Sequence, residues 1–261
     1  MSRRHRFQPR ATSPRSAARA VAVPPLYHFS VRLFATFSVA MVIAFWPSYF
    51  SRLLSQPTHH QHAHGIVMML WLALLVAQAV LIRGGQRATH RRLGLVSYAL
   101  VPLIVVMTAR FVHYSLQPVP DLTGYPLFFL ALVLNTLVVF VVLFALAMVN
   151  RRQPAVHARF IVSTLFPLFT PVTDRLIGRF MPWVARLVPT LDGSPLVQVA
   201  GFLLADAILA ALAVWDWRAN NRRVFAVALG LVVVYQTTVL TFHRFAFWQA
   251  FGAWYMALPV S

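Results

Sequence analysis

The sequence predicts an all-α, polytopic transmembrane helix bundle of about seven spans, with the N-terminus cytoplasmic and the C-terminus outside. Three observations predict it. The 261 residues are 59% hydrophobic and 11% charged, with a mean hydropathy of +0.70, outside the soluble globular range. The apolar residues come in runs long enough to cross a bilayer. The run Gly65–Ile82 has one polar interruption, Gln78. Third, the basic residues, all arginine, concentrate in alternate connections between the runs.

The first 27 residues carry Arg3, Arg4, Arg6, Arg10, Arg15 and Arg19 with no acid and no apolar run. This segment reads as a disordered basic cytosolic arm held at anionic lipid, ended by Pro24-Pro25. It lacks the apolar core of a signal peptide. The bundle then occupies residues 28–242. Span one is His28–Phe50, with Trp46, Tyr49 and Phe50 at its far end, and span two is Gly65–Ile82. Span three is Leu93–Tyr114, with a kink expected at Pro102. Span four, Leu127–Val149, has Asn135 as its only polar member, and span five, Ala155–Thr173, is interrupted by Pro167 and Pro171. The following arginines, Arg175, Arg179 and Arg186, fall within about 40° of one another on a helix, which predicts a short interfacial helix. Spans six and seven are Leu196–Trp215 and Val224–Thr241, and residues 243–261 form an interfacial aromatic tail.

With the N-terminus inside, sixteen arginines fall in inner segments and five in outer ones, Arg52, Arg175, Arg179, Arg186 and Arg244. That asymmetry sets the orientation. It also accounts for the net charge of +18, so nucleic-acid binding is not expected. The absence of cysteine excludes disulfides, thiolate metal sites, iron–sulfur ligation, cysteine catalysis and covalent haem attachment. No phosphate loop, nucleophile elbow or paired-carboxylate site is present.

The remaining chemistry lies in histidines near span ends. His64, Trp71 and Gln78 are seven apart and share a helix face, which should look into the protein because polar groups facing lipid lose their hydrogen bonds. His90 and His157 fall on the inner side, each followed by arginine. His59, His60, His62, His64, His113 and His243 fall on the outer side. His90 and His113 are separated by roughly 34 Å of one helix and so mark opposite membrane faces. Asp206 lies near the middle of span six and Arg110 about one turn inside span three. An intramembrane charge faces the bundle, so Asp206 either pairs with Arg110 or an outer histidine, or serves a proton or ligand path.

Three readings of the histidines stand side by side. In one, histidines from facing helices hold b-type haem near each membrane face. His90 with His157 is then the inner pair, with Arg92 and Arg159 for the propionates. His64 with His113 is the outer pair, His243 substituting. In the second, His59, His60, His62 and His64 form a divalent metal site, binding or transporting the metal, with Asp206 on the path. In the third, these side chains only hydrogen-bond headgroups and carbonyls.

The order His64, Gln78, Arg83, then His90-Arg91-Arg92-Leu93-Gly94 resembles an uncharacterised bacterial multi-pass membrane family. In that family a histidine-led helix ending in Gln precedes an H-R-x-L-G helix start. Arg152, His157-Ala158-Arg159-Phe160 and Arg175 resemble its later H-R-x-W-M…R helix, with Ala158 and Phe160 departing from the pattern. The likeness covers residues 60–177 and implies a bacterial inner-membrane location, this architecture and a histidine site, without a reaction. A looser similarity to transmembrane di-haem b-type cytochromes implies haem b and an electron-transfer partner.

Overall fold

Inside a bilayer every backbone amide must be satisfied within the chain, so apolar runs of this length fold as helices. The computed structural model describes residues 25–55 and 58–260, and its ordered elements are helical apart from one short hairpin. The predicted 1–27 arm lies almost wholly outside the described residues. Helix α1 covers Pro25–Phe45, α2 His59–Arg83, α3 Arg87–Gly94 and α4 Val96–Leu116. Next come α5 (Gly124–Val149), α6 (Pro154–Ser163) and α7 (Phe169–Phe180). A hairpin of β1 (Thr190–Leu191) and β2 (Ser194–Pro195) leads into α8 (Gln198–Asn220), α9 (Val224–Thr241) and α10 (Ala246–Met256).

Among the described residues, six helices are long and apolar enough to cross a membrane. They are α2, α3 with α4, α5, α6 with α7, α8, and α9 with its 3-10 extension to Arg244. The described part of α1 that counts as an apolar helix, Phe29–Phe45, is shorter. Helix α2 packs between α1 and α4, α5 lies against α9, α6 and α4, and α8 lies between α7 and α9. The core centres on Trp71, 1% exposed, whose ring meets Phe140 and Phe144 edge-on at 5.1 and 5.9 Å. Val39, Ile43, Val106, Val138, Leu203 and Val234 stay exposed on the outside of the bundle, where lipid suits them.

The chain departs from the sequence reading around the fifth span. The helix does not stop at Thr173: after a 3-10 turn at Phe166–Leu168 it runs on as α7 to Phe180. Pro167 supplies the break, because it has no N–H to donate to the preceding turn. Arg175 and Arg179 therefore belong to the spanning helix. The predicted interfacial helix is instead cut at Met181, with Pro182–Arg186 forming a 3-10 turn. The Arg175 guanidinium lies 4.1 Å over the Phe45 ring and donates to the Pro171 carbonyl.

The aromatic tail is a packed element. Trp248 Nε1 of α10 donates to the Leu127 carbonyl at 3.1 Å, and Tyr255 donates to the Ala109 carbonyl at 2.5 Å. These two rings join Val112, Leu116, Leu127 and Leu130 in a second apolar cluster. Gly124 opens α5 with φ +49°, a backbone that favours glycine, and Asp192 of the hairpin sits where its Cβ would be. There the Asp192 carboxylate accepts from the Tyr125 amide at 2.7 Å.

Candidate functional sites

At one end of the bundle α3 and α6 bring His90 and His157 together. Pro154 sits in the first turn of α6, which starts the helix three residues before His157. The two rings meet edge to face, with centroids 6.4 Å apart and planes at 83°. His157 Nδ1 donates to the Ala147 carbonyl at 2.9 Å, which leaves Nε2 with the lone pair. His90 lies beside the backbone of Gln78, and its Nδ1 is sealed from solvent with no partner. The Gln78 side-chain amide is also sealed, with neither end hydrogen-bonded. A Cβ at Gly94 would meet Gln78 Nε2 at 3.5 Å, an ordinary van der Waals contact, so α3 runs beside that amide. The two histidines expected as the inner pair are thus neighbours in the fold.

The arginines at this end divide. Arg92 is exposed. Arg159 is buried and fully engaged: Nε donates to Asp216 Oδ2 at 2.7 Å, Nη2 to Asp216 Oδ1 at 2.5 Å, and Nη1 to the Ala155 carbonyl. Asn220 adds a further donor to Asp216 at 3.0 Å. Arg159, expected beside a propionate, thus has its fork filled by a carboxylate of the chain itself. Asp216 is a partner of Arg159 that the sequence reading misses, since it lies just past the apolar end of span six.

At the opposite end the outer histidines gather near the junction of α2 and α4 without forming the expected pair. Thr58 and Gln61 form a capping box, so α2 is helical from His59, and His60 and His64 lie one turn apart. His64 stacks on Phe111 at 4.8 Å with its Nδ1 3.0 Å from Thr108 Oγ1. His60 stacks on Tyr114 at 4.7 Å and lies within electrostatic reach of Arg110 and His113. His62 Nδ1 is 3.1 Å from the Tyr49 hydroxyl, whereas the His59 ring lies 3.9 Å from that of His60. His113 is 2% exposed, faces Tyr255 at 5.4 Å, and has no partner on either ring nitrogen. Burial pushes the Tyr255 phenol up to about 12, so it stays a donor at neutral pH. His243 meets Phe128 edge-on at 6.5 Å. The rings of His64 and His113 are thus directed to different neighbours, and among the described residues no three histidine or acidic side chains converge as a metal site.

Between the two ends lies a polar seam. Asp206 accepts from Gln236 Nε2 at 3.0 Å, so its partner is an amide of α9 and neither Arg110 nor a histidine. Asn135 donates to Thr238 at 2.9 Å. Asp174, on the continued fifth span, neighbours Gln198, and Tyr235 lies beside Thr136 and Thr170. Oxygens of Asp174, Gln198 and Tyr235 are sealed without hydrogen-bond partners. The sequence carries one signal for this group, an aspartate three residues beyond Pro171 in a spanning helix.

No family model, no curated protein and no solved structure matches the chain.

Proposed function

We propose that this chain is a multi-pass integral membrane protein that carries electrons through one b-type haem held by His90 and His157. The observation that carries the reading is their juxtaposition from separate helices, with a ring nitrogen open on each. Two imidazoles brought together from separate helices, one with its Nε2 left free, are a donor set that would hold a haem iron. The bond from His157 to the Ala147 carbonyl holds its ring orientation, as metal-binding imidazoles require. Haem supplies a one-electron couple in such a site. The chain's own part is to orient the two rings, keep water away through Gln78 and its packing on Gly94, and offer the exposed Arg92 to an anionic group.

In this reading α1 is the seventh crossing, the N-terminus is inside, and the membrane is the bacterial inner membrane that the resemblance over residues 60–177 implies. The fit is specific to this end. His64 and His113 share no ring contact, so the reading assigns one haem per chain. The test is cofactor retention: His90→Ala and His157→Ala each lose the haem spectrum, whereas His59→Ala keeps it. Equal retention in all three variants would remove the reading.

A further inference from the structure

The end of the bundle opposite the His90–His157 pair carries positive charge and open donors without a counter-charge. Arg110 Nε is sealed from solvent and has no partner. His113, three residues on and one helical turn away, is buried with both ring nitrogens open. His60, in the first turn of α2 and stacked on Tyr114, lies within electrostatic reach of both Arg110 and His113. The chain has only five acidic side chains, and each lies beside other groups. Asp216 holds Arg159, Asp206 takes Gln236, Asp174 neighbours Gln198, Asp192 takes the Tyr125 amide, and Asp121 accepts from Thr123. None of them pairs with Arg110.

Buried donors left open are costly, and a guanidinium at a membrane edge is more so. The unpaired carbonyls at the C-terminal end of α4 do not satisfy the Arg110 Nε or the His113 ring nitrogens. The N-terminus of α2, which brings His60, adds positive potential from the other side. We infer that Arg110, His113 and His60 form a recognition site for an oxyanion, a carboxylate or phosphate group, entered from the α2–α4 end and capped by Tyr255. The source is either a small free anion or the phosphate of an anionic lipid headgroup. The site is independent of whether the other end carries haem.

The test uses the full chain purified in detergent. Inorganic phosphate and acetate are titrated in place of chloride at fixed ionic strength, with the thermal midpoint read from tryptophan fluorescence. In parallel, native mass spectrometry compares retention of phosphatidylglycerol with phosphatidylcholine. A saturable rise in midpoint supports a free-anion site, and selective retention of phosphatidylglycerol supports a headgroup site. In either case Arg110→Gln should weaken binding about tenfold, the loss of one charge-assisted hydrogen bond, and Arg110→Lys should recover part of it. If Arg110→Gln does not fold, the wild-type titrations decide alone. No saturable effect of phosphate or acetate together with equal retention of the two lipids would overturn the site, as would binding unchanged in a folded Arg110→Gln.

Discussion

The guanidinium of Arg159 lies in a two-pronged bond with the carboxylate of Asp216, tying α6 to the end of α8 where both side chains are buried. This pair anchors the helix that presents His157, two residues earlier. Asp216→Asn leaves the arginine charged, buried and half-partnered. Loss of one partner from such a pair costs about 3–5 kcal/mol. The expected outcome is a large drop in thermal midpoint in detergent, with most of it restored in the double variant Arg159→Met, Asp216→Leu. A midpoint unchanged by Asp216→Asn would show that the pair contributes little.

Helices α7 and α8 pack tightly at Gly201. A Cβ there would lie 2.3 Å from Thr173 Oγ1, which is itself bonded to the Phe169 and Thr170 carbonyls. Gly201→Ala must therefore rotate or displace Thr173. It should destabilise by about 1–3 kcal/mol, the usual cost of overpacking. Thr173→Ala in the same chain should recover most of the loss. Additive losses in the double variant would mean that the two positions do not meet.

Orientation can be read without engineering a background, because the chain has no cysteine. A single Ser55→Cys lies in the exposed loop between α1 and α2, and Gln153→Cys lies in the exposed turn before α6. In sealed cells an impermeant maleimide should label the first, and should label the second only after permeabilisation. The opposite pattern would invert the topology that the arginine asymmetry gives.

Much of the architecture is legible because hydrophobic length and the arginine distribution are local properties of a sequence. The His90–His157 meeting is legible for the same reason: each histidine opens an apolar run on the same side and is followed by arginine. The Arg159–Asp216 bond is not, since it links positions 57 apart and no periodicity connects them. Arg159 consequently reads as an open cation when it is a committed one. The extension of span five to Phe180 is hidden by Pro167 and Pro171, which read as an end although the helix resumes after one 3-10 turn. The outer histidines are legible as a group but not in their pairing. Which ring His64 meets depends on how α2 rotates against α4, and Phe111 and Thr108 settle that.

The central claim is that His90 and His157 hold one haem. Its most direct test is the absorption spectrum of detergent-purified protein, oxidised and then reduced with dithionite, with haem counted per chain. The account predicts a Soret band, sharp α and β bands on reduction, and one haem per chain. A flat visible spectrum from protein expressed with ample haem would contradict it, as would a haem content unchanged by His157→Ala.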